Sequence, residues 1–221
     1  MSSLTHQPIQ RDDLKGLFVV LEGLDGSGKT TQAIRLHNRL KRRGVPTSLF
    51  REPGSTDLGE KVRRILKSGT VDHPITELLL FNVARSSLVS QKISPALANG
   101  QVVICDRFAS STIAYQGYGS GINLERIKQI NNYATMDLKP DLTILIDLDP
   151  KISLLRLKKH RTSQDHYEQN DFSFHRRVRE GYLTLAKENT KTWKILDGTQ
   201  GPRTLAIAVW EEMAALIRRI N

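Results

Sequence analysis

The sequence predicts an α/β domain built on a parallel sheet. Five short apolar runs alternate with longer segments in which apolar residues recur every three to four positions. A glycine-rich turn with a lysine joins the first run to the first periodic segment. The chain has 221 residues, 38% of them hydrophobic, which suffices for one full core.

Each element has its own local reason. The runs Leu17 to Leu21, Thr47 to Phe50, Val102 to Cys105, Leu142 to Asp147 and Trp193 to Leu196 are short and rich in branched apolar residues, as strands covered on both faces require. Between them the helical period predicts helices at Lys29 to Arg43, stopped by Gly44, and at Leu58 to Lys67. Further helices are expected at Pro74 to Gln91, Leu124 to Thr135, Ile152 to Lys159, Phe172 to Asn189 and Arg203 to Ile220. Residues 1–15 are polar and aperiodic and read as a tail, leaving 16–221 as a single domain. The polar stretch His160 to Asn170, "HRTSQDHYEQN", has no period and is the candidate for a short lid over a site.

No run approaches the roughly eighteen apolar residues that cross a bilayer, so the chain is expected in the cytoplasm with no membrane partner. Cys105 is the only cysteine, which excludes an intrachain disulfide and reads as a packing residue. The formal net charge is +10. Such a balance suits nucleic acid or small phosphate-rich ligands. The basic residues are scattered, in "RLKRRG", "RRILK", "RLKKHR", "HRRVRE" and "IRRIN", and many fall in last helical turns where they complement the helix dipole. Small phosphates are expected as partners with no nucleic acid, while the basic balance gives weight to a nucleic-acid-binding ATPase as a competing class.

"GLDGSGKT", Gly23 to Thr30, matches G-x-x-x-x-G-K-[ST], between a strand and a helix. In this pattern the backbone of Gly23, Leu24, Asp25, Gly26, Ser27 and Gly28 wraps a triphosphate, Lys29 reaches its outer oxygens, and Thr30 offers a hydroxyl to Mg²⁺. Motor, switch and kinase proteins share the cradle, so it does not name a reaction.

Ligands of open α/β sheets lie beyond the carboxyl ends of the strands. There the second run leads into "FREPGST" and the third into "CDRFASSTIAYQGYGSG". Arg51 and Arg107 thus stand at two strand mouths, where paired guanidinium groups can clasp a second phosphate, and Asp106 can hold the water shell of Mg²⁺.

With "GLDGSGKTT", which also brings in Thr31, the segments "REPGST", "LLLFNVAR", "PALANGQVVICDRF", "STIAYQG" and "LDGTQ" make the chain similar to the thymidylate kinase family from Gly16 onward. The resemblance implies a P-loop kinase fold with a five-stranded parallel sheet, a homodimer packed through helices, and phosphorylation of thymidine monophosphate by ATP with Mg²⁺. It further implies that Phe81 stacks on the thymine, Arg85 bonds its O4, Thr112 and Gln116 serve the base edge, and Pro53 meets the 5-methyl group. Tyr115 is implied to exclude a 2′-hydroxyl, and Asp25 to lie near the acceptor's 3′-hydroxyl and phosphate. Gly26 stands where some members carry an arginine, so the lid is expected to supply that charge through Arg161. Arg156 is expected to stack on adenine, bordered by the loop that contains Gln200.

Other classes remain weighed against this one. A GTP-dependent switch needs N-K-x-D on a late strand, where this chain reads "LTILIDLDP". A deoxynucleoside kinase needs a carboxylate base for an uncharged acceptor, whereas Arg51 and Arg107 suit a phosphorylated one.

Overall fold

The computed structural model describes residues 16–160 and 171–220. The expected tail at 1–15 and Arg161 with the rest of the lid segment lie outside the described residues. Five strands form one parallel sheet in the order β2-β3-β1-β4-β5. They are β1 (Leu17–Glu22), β2 (Thr47–Arg51), β3 (Val102–Asp106), β4 (Leu142–Asp147) and β5 (Trp193–Asp197). The register sets Arg51 and Leu21 on either side of Asp106, so β1, β2 and β3 end level with one another.

Helices cover both faces. They are α1 (Lys29–Arg42), α2 (Asp57–Lys67), α3 (Pro74–Leu88), α4 (Ser94–Ala98), α5 (Ala109–Thr112), α6 (Leu124–Thr135), α7 (Pro150–His160), α8 (Phe172–Glu188) and α9 (Pro202–Ile220). Alternate residues of a strand point to opposite faces. Val19 and Leu21 accordingly pack with Leu36 and Leu40 of α1 and Val209 and Met213 of α9. Phe18, Val20 and Cys105 pack on the other face against Leu88, Ile93 and Phe108. Cys105 is free and buried, the packing residue that its position in an apolar run implied.

The structure corrects the long helix expected from Pro74 to Gln91. The α-helical part ends at Leu88, a π turn spans Val89–Ile93, and α4 follows with Pro95 in its first turn. Pro95 has no N–H to donate one turn back, and the wider turn before it absorbs that missing bond. A second stretch with no expected structure, "ASSTIAYQGYG", forms α5 and a π segment at Ile113–Gly119. Its serines, threonine and glycines hide a helical period, and packing against α8 supplies the order instead. A side chain at Gly119 would lie 2.6 Å from the Phe174 ring, and one at Gly181 would lie 2.6 Å from Tyr118.

Candidate active site

The cradle follows β1. Gly26 and Gly28 have φ of 77° and 95°, a left-handed conformation that glycine adopts without strain. A Cβ at Gly26 would also meet the Ser153 carbonyl at 2.8 Å. Lys29 opens α1, is nearly buried, and donates to Asp25 Oδ1 at 3.2 Å and the Leu24 carbonyl at 3.3 Å. On the other side of the cradle, Arg156 of α7 donates to the Gly26 carbonyl at 3.4 Å. Gln200 lies in the turn after β5, its amide donating to the Asp197 carbonyl.

Asp25 is the hub between cradle and acceptor side. Arg107 Nη2 donates to its Oδ1 at 2.7 Å and the Tyr115 hydroxyl to its Oδ2 at 3.1 Å. Burial alone would raise its pKa, but Arg107 and Lys29 together hold the carboxyl well below the usual range. Burial and the neighbouring Arg107 lower the Lys29 ammonium, while Asp25 pulls it back up. Arg107 itself has φ of 72°, a left-handed turn that swings its guanidinium from the end of β3 into the site.

The metal requirement can be tested on two atoms. Thr30 Oγ1 donates to Asp106 Oδ2 at 2.5 Å, and Asp106 Oδ1 is buried without a partner among the described residues. A buried carboxylate oxygen left open beside a cradle hydroxyl fits a hydrated hard cation, whose water would satisfy it.

Beyond these residues a cavity of about 360 Å³ opens. It brings Asp25, Lys29, Thr30, Arg51, Pro53, Phe81, Asp106, Arg107, Thr112, Tyr115 and Gln116 together in its lining. Arg51 holds Glu60 of α2 through two contacts at 3.0 and 3.1 Å, an exposed pair that a ligand can open at little cost. Gln116 donates to Glu77 at 2.9 Å.

Arg85 stands apart from the lining. It is 1% exposed and sits behind Thr112 and Glu52, donating to Glu52 at 2.8 Å, Asn131 at 2.7 Å, and the Phe108 carbonyl at 3.3 Å. Burial pushes the Glu52 carboxyl up to about 7 against the pull of Arg85.

Sequence reasoning missed several contributors. Glu22, fully buried at the end of β1, accepts from the Phe108 amide and from Ser111 and Tyr182, and so holds the turn that carries Arg107. Burial raises its pKa. Arg63 and Lys67 of "RRILK" line the cavity rather than serving only the helix dipole, and their spacing of four on one helix face was the available signal.

The family model described as thymidylate kinase matches residues 21–206. The thymidylate kinase of Deinococcus radiodurans is 43% identical over 197 residues, covering 89% of this chain and 95% of the relative. That of Synechococcus sp. (strain JA-3-3Ab) is 45% identical over 194 residues, covering 88% and 93%. The crystal structure of thymidylate kinase from Ehrlichia chaffeensis superposes with a TM-score of 0.75 at 34% identity, covering 90% of this chain and 98% of that one. A phosphate cradle that shares Asp25 with an arginine-lined second cavity, on this sheet order and with these relatives, places the chain in the thymidylate kinase family.

Proposed function

We infer that the chain transfers the γ-phosphoryl group of ATP to thymidine monophosphate, giving ADP and thymidine diphosphate. The observation that carries this reading is the continuity of the cradle with the acceptor cavity through the Lys29–Asp25–Arg107 chain of ion pairs. An acceptor phosphate oxygen attacks the γ-phosphorus while the bond to the β–γ bridging oxygen breaks, its electron pair leaving with ADP. The acceptor needs no general base, since a phosphate monoester's second pKa is about 6. The obstacle is repulsion between two anions, so catalysis rests on positioning and charge. Lys29, Arg51 and Arg107 surround the meeting point. Thr30 and Asp106 would hold Mg²⁺, which when bound neutralises the β and γ oxygens. Arg156 faces the adenine with Gln200, and Arg161 serves as the lid cation.

In the cavity, Phe81 stacks on the thymine and Pro53 meets its methyl group. Thr112 and Gln116 face the base edge, with Arg85 behind them. A panel of nucleoside monophosphates with Mg-ATP, read by ADP release, tests the assignment. Thymidylate is expected to be turned over fastest, and equal turnover of adenylate, guanylate or cytidylate would refute it.

Tyr115 is the expected guard of the sugar. Its ring lies 5.0 Å below the Arg107 guanidinium, and its hydroxyl is tied to Asp25. Tyr115→Ala is expected to narrow the preference for thymidylate over its ribose analogue by about tenfold or more, as kcat/KM ratios. An unchanged ratio would move the discrimination elsewhere.

A homodimer and a cytoplasmic location belong to the same proposal. Ile75, Leu79 and Val83 follow one another at a spacing of four on α3 and are 49%, 48% and 45% exposed, a stripe that a second copy would cover. Light scattering is expected to show a dimer that Leu79→Glu converts to a monomer. A monomeric wild-type protein at micromolar concentration would exclude it.

A further inference from the structure

The basic segment "RLKRRG" closes α1, away from the acceptor cavity, and the reaction makes no use of it. Arg35, Arg39 and Arg42 are four and three residues apart, so they share one face of α1 over about 10 Å. They line a second cavity of about 220 Å³ between α1 and α9. No carboxylate lines it, and among the described residues neither these arginines nor Arg43 form an ion pair. Trp210 of α9 forms part of its wall. The Arg39 and Arg43 guanidinium carbons lie 4.1 and 4.3 Å from the Trp210 ring centroid. A guanidinium held over the ring in this way is positioned in advance, and contact with a ring face uses none of its N–H donors.

A second observation is independent of charge. Gln32, 1% exposed, also lines the cavity, and its Nε2 donates to the Pro202 carbonyl at 3.1 Å while its Oε1 is buried without a partner among the described residues. Arg35 Nη1 donates to the same Pro202 carbonyl at 3.3 Å. The seam therefore combines arginines that form no ion pair with one acceptor oxygen that lacks a donor among the described residues. A phosphate chain meets the first condition, and a sugar hydroxyl or base amine joined to it meets the second.

We propose that the α1–α9 seam is a second anion site that binds a chain of phosphoryl groups, either as the tail of a nucleoside triphosphate or as free polyphosphate. It shares no residue with the acceptor cavity.

Calorimetric titration of the full chain with tripolyphosphate at low salt is expected to show two binding events, one at the cradle and one at the seam. Arg39→Ala with Arg42→Ala should weaken the seam event about 10- to 100-fold, the loss expected for a charge-assisted bond. The same variant should leave kcat and KM for thymidylate within about twofold, as for surface changes remote from a site. Lys29→Ala should weaken only the cradle event. Titration with ATP separates the two sources. Tighter seam binding of ATP than of tripolyphosphate assigns a nucleotide, and equal binding assigns the phosphate chain alone. A single event per chain, or a second event unchanged in the double variant, overturns the site. Preferential binding of a single-stranded oligonucleotide at the seam also overturns it, because the surface would then serve nucleic acid. If the double variant does not fold, Arg42→Glu at an exposed position makes the same comparison.

Discussion

Arg107→Ala is expected to lower kcat/KM for thymidylate by about 10³, equivalent to about 4 kcal/mol of transition-state stabilisation. The guanidinium donates to Asp25 at 2.7 Å, Tyr182 at 3.1 Å, and Tyr115 and Ser111 at 3.2 Å, so four groups fix its position before any ligand arrives. Its loss removes a preorganised positive charge from the place where two phosphates meet. It also leaves Lys29 to balance the Asp25 charge, with Tyr115 as a neutral donor, which draws the lysine away from ATP. Both kcat and KM for the acceptor should therefore deteriorate. Arg107→Lys restores the charge but not the fork, and should recover only part of the loss. Thermal denaturation separates a misfolded variant from an inactive one. A folded Arg107→Ala protein within about tenfold of wild-type activity would show that neutralisation at this point comes from elsewhere.

Asp106→Asn is the second large effect. The carboxylate accepts from Thr30 through one oxygen and leaves the other buried and open, the arrangement of a group that orients the waters and hydroxyl around a cation. An amide keeps the shape and removes the charge. The half-saturating Mg²⁺ concentration is expected to rise about 10- to 100-fold, with a fall in kcat that excess Mg²⁺ partly reverses. KM for ATP at saturating Mg²⁺ should change far less, because the backbone of the cradle remains in place. A Mg²⁺ titration superimposable on that of the wild type would exclude Asp106 from this role.

Much of the site was legible in the sequence because its residues sit at fixed offsets from local signals. The glycines and Lys29 announce a strand passing into a helix, and Arg51 and Asp106 directly follow apolar runs. Where the reading of strands stopped short, it stopped at those residues. Glu22, Arg51, Asp106 and Asp197 are each the last residue of a strand, one beyond the apolar run that predicted it. Hydrophobicity marks what is buried in the core, whereas backbone pairing continues one step into the polar site.

By itself the sequence determined the alternation of strands and helices and the phosphate cradle, and its family resemblance named most of the groups that line the cavity. The alternation and the cradle depend on residues near one another in the chain, where spacing and backbone preference leave few alternatives, whereas the cavity residues were read through the family resemblance. The tertiary structure decided which distant groups meet. It tied Asp25 to Arg107 across the sheet, placed Arg85 behind Glu52 rather than on the cavity wall, and brought Arg63 and Lys67 into the lining. It also wound "ASSTIAYQGYG" into helical turns, because Gly119 and Gly181 let that segment and α8 approach closely. Contacts between groups far apart in the chain depend on packing and on the need of every buried charge for a partner, and local sequence encodes neither directly.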